Sequence, residues 1–296
     1  MSYQVLARKW RPNDFSEMVG QQHVLQTLTS SLEKQRLHHA YLFTGTRGVG
    51  KTTLARILAR CLNCDTGITA KPCGECSTCT EITEGRFVDL IEVDAASKTK
   101  VDDTRELLDN VQYRPTRGRY KIYLIDEVHM LSKHSFNALL KTLEEPPEHV
   151  IFLLATTDPQ MLPPTVLSRC LQFHLKNMTL EEIRGHLENI LSKEQISFED
   201  KALSALAWSA KGSMRDALSL LDQAIAYGNG NVLETEVKDM LGSIDRDQIV
   251  EIIRQIAMQD APAVLATIEN MDQYAPNYAT VLDELIDTLH RLALEQ

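Results

Sequence analysis

The chain has 296 residues, of which 43% are hydrophobic and 24% charged, enough for a globular core in one large domain or two to three small ones and not a composition of wholesale disorder. Its net charge of −10 excludes a protein that binds DNA over its whole surface, so any nucleic-acid contact must be a local basic patch or belong to a larger assembly. No apolar run approaches the ~20 residues of a membrane span, and Arg8, Lys9 and Arg11 near the N-terminus have no apolar stretch of a signal peptide behind them, so a cytoplasmic protein without membrane contact is expected.

In chain order, the first half alternates short apolar runs with helical periodicity, the pattern of an α/β domain with a parallel sheet. Strands are expected at residues 40–44, 88–93, 120–125, 150–156 and 171–174, with helices at 51–59, 101–111 and 135–143 between them. The first strand runs into Gly45-Thr46-Arg47-Gly48-Val49-Gly50-Lys51-Thr52, followed by Thr53, which fits G-x-x-x-x-G-K-[ST] in the required strand-to-helix context. The glycines let the backbone fold around an anion with its N–H groups aimed inward, and the helix start adds its positive end. Lys51 would supply a mobile cation for the outer phosphates of ATP, and Thr52 a hydroxyl for Mg²⁺. A plain Gly-rich turn would need neither Lys51 nor Thr52 at this spacing.

Six cysteines are present, and Cys64, Cys73, Cys76 and Cys79 crowd into residues 62–80. That segment is polar, holds Gly67, Pro72 and Gly74, and has little core of its own, so a bound metal would supply the missing order. Four thiolates enclose Zn²⁺ tetrahedrally and leave no open position, which makes such a site structural. An Fe–S cluster uses similar spacings and stays open at this point, whereas a redox C-x-x-C is disfavoured by two further cysteines in the segment. Cys61 and Cys170 read as ordinary thiols.

The strand expected at 120–125 ends in Asp126-Glu127, where α/β sheets place their ligands. Asp126 would hold Mg²⁺ and Glu127 would polarise the attacking water. Alone this pair could be a solvated strand end. Combined with the loop upstream, it specifies an ATP-hydrolysing protein. His129 reads as a surface or helix-start residue and is given no chemistry.

After residue 176 the strand pattern stops. Thr179 and Glu182 form a capping-box signature, and helices are expected at 180–193, 201–209, 214–226 and 234–240, with a turn at Asn229-Gly230-Asn231. Further helices are expected at 248–258, 261–271 and 278–294. The domains are then residues 1–178, with the cysteine module at 62–80, a helical lid at 179–242, and the start of an all-helical unit at 243–296, thin for a domain and expected to be cut short.

Taken together, the phosphate loop, Asp126-Glu127, a polar residue ending the next strand, Ser168-Arg169-Cys170 and Gly212-Ser213-Met214-Arg215-Asp216 resemble the AAA+ clamp-loader ATPases. Tyr3 to Pro12, Phe15, Val19-Gly20-Gln21 and Ala138 to Pro147 extend the resemblance over essentially the whole chain. With the cysteine cluster, it is most similar to the gamma/tau subunit family of the bacterial DNA polymerase III clamp loader. The resemblance implies an AAA+ domain with a five-stranded parallel sheet, a lid and an oligomerisation collar, binding ATP, Mg²⁺ and, at the four cysteines, Zn²⁺. It makes Thr157 the sensor of the γ-phosphate, Arg169 an arginine finger for a neighbouring subunit's ATP, and Arg215 a second sensor. Ala7, Arg11, Pro12 and Val19 would line the adenine pocket, and Lys98, Lys100 and Lys141 would meet DNA phosphates. From the residues alone, Arg169 could equally be a surface salt bridge, Arg215 a partner of Asp216 or Asp222, and the lysines solvated. The implied activity is ATP-driven opening and loading of a sliding clamp onto primer–template DNA. The implied partners are delta, delta-prime, further copies of the chain and the clamp. Longer family members carry domains for the polymerase core and helicase. A non-hydrolysing scaffold like delta-prime would fit a degraded phosphate loop, which this is not. A helicase loader or Holliday-junction motor would not be expected to carry the four cysteines.

Overall fold

Each expected strand forms, and the computed structural model, which describes residues 4–97, 110–241, 246–272 and 278–294, joins them into one parallel sheet. The strands are β1 (Ala40–Thr44), β2 (Leu90–Asp94), β3 (Lys121–Asp126), β4 (Val150–Thr156) and β5 (Leu171–His174), in the order β2-β3-β4-β1-β5. The near-continuous apolar sequences of the central strands β1, β3 and β4 follow from burial on both faces, whereas the edge strands β2 and β5 are partly exposed. Tyr41, Phe43, Ile122, Leu124, Ile151 and Leu153 point into one core, and Ala40, Leu42, Tyr123, Ile125, Phe152 and Leu154 into the other, the two-residue period of a strand. The first core is covered by α2 (Gln22–Glu33) and α3 (Lys51–Asn63), the second by α5 (Lys133–Glu144).

The remaining helices are α1 (Leu6–Lys9), α4 (Ser77–Glu84), α6 (Pro164–Leu167), α7 (Leu180–Glu194), α8 (Asp200–Ser209), α9 (Met214–Tyr227), α10 (Glu234–Leu241), α11 (Arg246–Ala257), α12 (Ala261–Asp272) and α13 (Tyr278–Leu294). Among the described residues four helices, α1, α2, α4 and α6, go beyond the sequence expectation. For α2 the apolar spacing was present in Val24, Leu25, Leu28 and Leu32, but its start has no side-chain cap and rests instead on Gln21 at φ 62°. Strand β2 begins two residues later than expected because Asp89 turns aside. Its buried carboxylate accepts hydrogen bonds from the amides of Thr116, Arg117 and Gly118, each at 2.7 Å, and pins the loop leading into β3. An unmet buried amide costs about 1–3 kcal/mol, so this one side chain holds the loop firmly. The helix expected at 101–111 lies outside the described residues except for a 3-10 turn at Asn110–Gln112.

The chain divides into two compact units, Met1–His186 with Ala210–Ser219, and Leu187–Ser209 with Leu220–Gln296. The first holds the sheet. Its capping box forms reciprocally, the Glu182 amide donating to Thr179 Oγ1 at 3.2 Å and the Thr179 amide to Glu182 Oε2 at 2.8 Å. In the second, α8 packs against α10, and α11, α12 and α13 meet around Ile249, Ile252, Met271 and Val281. Among the described residues no helix is long and apolar enough to cross a membrane.

Candidate nucleotide site and four-cysteine centre

Strands β3, β4 and β1 are neighbours, so the loops at their C-terminal ends converge at one edge of the sheet. The loop after β1 is the glycine-rich turn into α3. Gly45, Gly48 and Gly50 adopt φ of 143°, 80° and 102°, a region that side-chain-bearing residues rarely enter. Gly48 is also fixed by space, since a Cβ there would lie 1.9 Å from Ser213 Oγ and 3.3 Å from Arg215 Cβ. Lys51 is buried and donates to the carbonyls of Gly45 and Thr46, both at 2.8 Å. Burial lowers the pKa of its ammonium, Glu127 and Asp126 counteract this, and Arg215 lowers it further. Val49 is turned into the core, and Thr46 donates to Asn177 Oδ1 at 2.5 Å, so both can offer a nucleotide mainly their backbone.

The loop after β3 brings the acidic pair to the start of α3. Thr52 Oγ1 donates to Asp126 Oδ2 at 2.6 Å, which sets two oxygen donors side by side, the chemistry a hard dication prefers. Glu127 is held at φ 46° and ψ 48°, uncommon for a residue with a side chain. Its Oε2 accepts from both the amide and the hydroxyl of Thr157, at 3.0 and 2.8 Å, across from the end of β4. His129, in the single turn after Glu127, belongs to this group as well. Its Nδ1 lies 2.9 Å from Thr156 Oγ1 and 3.4 Å from Glu127 Oε2. The sequence read it as a surface or helix-start residue; it lies in the short helical turn Val128–Met130, and only 12% of its side chain is exposed.

These groups open into a cavity within the first unit. Arg47, Gly48, Gly50, Lys51, Thr52 and Thr53 form one wall, with Asp126 and Glu127 at its floor. Ala7, Arg11, Pro12 and Val19, named from the sequence, line the other side, joined by Trp10 and Met18. Arg215 lines it together with Met178, His186, Met214 and Leu218. None of the last four, nor Met18, was named as a cavity residue from the sequence, although Met214 and Leu218, at helical spacing, share a face of α9. Burial, then the nearby charges of Arg56 and Arg215, lower the pKa of Arg11, which marks an excess of positive charge beside the cavity.

Arg169 is placed elsewhere. It does not line this cavity, and instead donates to the carbonyl of Thr165 at 2.8 Å and to Glu144 Oε1 at 2.9 Å. Lys141 is exposed on α5, and Lys98 and Lys100 lie outside the described residues.

The four cysteines form a second centre. Cys64 ends α3, Cys76 caps α4, Cys79 lies in its first turn, and Cys73 sits in the loop between. Their sulfurs all lie within 4.8 Å of one another, with Cys64 Sγ and Cys73 Sγ 3.6 Å apart. A tetrahedron of thiolates at the zinc–sulfur distance has edges of about 3.8 Å, so the residues fit a four-coordinate metal. Backbone amides of Cys73, Cys76 and Cys79 each donate to the sulfur of the preceding cysteine at 3.4 Å, bonds that favour thiolates. At Cys64, burial opposes ionisation, but hydrogen bonds from Cys73 and Thr66 bring the pKa down to about 6, while burial pushes Cys79 up to about 12. Cys61 is a core thiol and Cys170 is raised to about 11 by burial, as expected of ordinary thiols.

Comparison with known proteins fits this arrangement. The family model described as DNA polymerase III, delta subunit, matches residues 20–179; that for the DNA polymerase III clamp loader subunit, ATPase lid domain, matches 182–230; and that for DNA polymerase III subunits gamma and tau domain III matches 232–296. DNA polymerase III subunit gamma of Buchnera aphidicola subsp. Baizongia pistaciae is 49% identical over 294 residues, 99% of this chain and 80% of that protein. The chain belongs to the gamma/tau family of DNA polymerase III clamp-loader subunits. DNA polymerase III subunit tau of Escherichia coli K12 is 62% identical over 296 residues, all of this chain and 46% of that protein, so the chain spans about half the length of this gamma/tau relative. The Thermotoga maritima RuvB Holliday junction branch migration motor superposes with a TM-score of 0.58 at 23% identity, covering 83% of this chain and 79% of that one, which shows a shared AAA+ fold.

Proposed function

We propose that this chain is the ATP-hydrolysing motor of a bacterial DNA polymerase III clamp loader, working in the cytoplasm to open a sliding clamp and load it onto primed DNA. The observation that carries the reading is the convergence of Lys51, Thr52, Asp126, Glu127 and Thr157 at the joined ends of β1, β3 and β4, with Arg215 lining the same cavity. In this reading Lys51 and Arg215 hold the phosphates, and Ala7, Arg11, Pro12 and Val19 receive the base. Thr52 and Asp126 would hold Mg²⁺, which when bound offsets charge on the terminal phosphates. Glu127 orients and polarises the attacking water, and Thr157 senses the γ-phosphate. Arg169, outside its own cavity, serves the ATP of a neighbouring subunit, which makes hydrolysis depend on assembly. The cysteine centre holds structural Zn²⁺.

In this reading the chain divides into an AAA+ domain at 1–178, a lid at 179–242 and a collar at 243–296; the family models support the first boundary, with matches at 20–179 and 182–230, and put the second earlier, with domain III matched from 232. Partners are delta, delta-prime, further copies of this chain and the clamp, with primer–template phosphates met by Lys98, Lys100 and Lys141. The polymerase core and helicase would be met by parts of the longer relatives outside the region matched here. The intact acidic pair and lysine argue against a non-hydrolysing scaffold. ATP turnover by the chain assembled with delta, delta-prime and clamp is expected to rise at least about tenfold on addition of primed DNA, by completion of the shared site. An assembled complex whose turnover ignores both clamp and DNA would contradict clamp loading.

A further inference from the structure

Among the described residues, His129 is a titratable side chain beside the candidate general base that the reading above leaves without a task. Three observations bear on it. Its imidazole is largely enclosed, with 12% of the side chain exposed. Its Nδ1 spans from Glu127 Oε2, at 3.4 Å, to Thr156 Oγ1, at 2.9 Å. Thr156 is itself fully buried, and its hydroxyl also accepts from the Asp158 amide at 3.1 Å, so it is a fixed point in the sheet.

These contacts close a ring. Glu127 Oε2 accepts from Thr157, Thr157 is bonded through the chain to Thr156, Thr156 meets His129, and His129 returns to Glu127. The ring ties the end of β3 to the end of β4 at the point where Glu127 sits in a left-handed backbone conformation. Such a conformation persists only where surrounding contacts over-determine it. In the reading above the Thr157 hydroxyl turns to the γ-phosphate, which leaves the Thr157 amide and the imidazole anchored on Thr156 beside the carboxylate.

We propose that His129 is a positioning residue for ATP hydrolysis, holding the Glu127 carboxylate in line with the end of β4 without touching nucleotide. The proposal rests on Glu127 being the general base. His129 does not line the nucleotide cavity, so its loss should leave nucleotide affinity alone and act on the chemical step. An ångström-scale misplacement of a catalytic group can cost up to about 10²-fold in rate.

The test compares His129→Ala, His129→Asn and Glu127→Gln with wild type in the assembled, DNA-stimulated complex. An asparagine amide can occupy the place of Nδ1 and keep the bond to Thr156. The expected result is a kcat about tenfold lower in His129→Ala with KM for ATP within about twofold, and recovery to within about threefold in His129→Asn. A kcat in His129→Ala within twofold of wild type would overturn the proposal. So would an equal loss in both variants accompanied by a parallel fall in melting temperature, which would mark His129 as packing only. The Glu127→Gln arm separates the two readings: if that variant turns over normally, the general-base assignment fails first.

Discussion

Replacing Glu127 by Gln is expected to lower ATP turnover by about 10²–10⁴-fold while leaving ATP affinity within a few-fold of wild type. The substitution keeps the shape of the side chain, and the amide oxygen can still accept from the Thr157 amide and hydroxyl that now hold Oε2 at 3.0 and 2.8 Å. The loss is the negative charge that draws a proton from water. The phosphate loop, Lys51 and the pair Thr52–Asp126 are untouched, so binding should survive. Single-turnover hydrolysis beside equilibrium binding of a fluorescent ATP analogue separates the two quantities. A preserved hydrolysis rate would mean that another group activates the water.

The second large effect concerns the cysteine centre. Cys79→Ser is expected to abolish tight binding of one Zn²⁺ per chain and to lower stability by about 3 kcal/mol, a fall of roughly 6–12 °C in melting temperature for a domain of this size. Structural zinc sites contribute folding free energy directly, and the loop between α3 and α4 is otherwise held by a few hydrogen bonds, among them those of Arg119 to the carbonyls of Cys64 and Asp65. Ile68 and Ala70 reach the main core, and Thr78 bonds Asp65 at 2.8 Å, but the link across the module runs through the four sulfurs. None of the four lines the nucleotide cavity, so ATP affinity should change little. Elemental analysis with differential scanning calorimetry on wild type and variant checks this. Iron with a visible charge-transfer absorption would replace zinc by a cluster, and a metal-free wild type of equal stability would remove the metal from the account.

Both sites were legible in the sequence where chemistry forces a residue type at a fixed spacing. The phosphate loop needs glycines at positive φ, and Gly48 shows why, with Ser213 occupying the space of any Cβ. The acidic pair was legible only in combination with the phosphate loop upstream, since alone it could be a solvated strand end. Strands β1, β4 and β5 matched residue for residue; β1 and β4 are runs buried on both faces, which leave sharp boundaries, while β5 is an edge strand in which only Phe173 is buried. What stayed hidden depends on contacts remote in sequence. Helix α2 starts on a left-handed Gln21 whose side chain bonds Lys176, 155 residues away, and no local signal announces that. The burial of His129, read as a surface or helix-start residue, stayed hidden because it comes from the end of β4. Met178, Met214 and Leu218 reach the cavity only through the fold. Arg169 and Arg215 were legible through family resemblance rather than through any pattern of their own.

The most direct test of a motor with a shared site is steady-state ATP turnover of the complex, with clamp and primed DNA, for wild type and Arg169→Ala, with assembly verified by native mass spectrometry in the same samples. Arg169 now rests on Glu144 and the Thr165 carbonyl, away from its own cavity, so its removal should spare ATP binding by the chain that carries it. The account predicts turnover lower by about 10³-fold with nucleotide binding and assembly intact, the scale of an arginine supplied in trans. A fully assembled variant complex that hydrolyses ATP at the wild-type rate would contradict it.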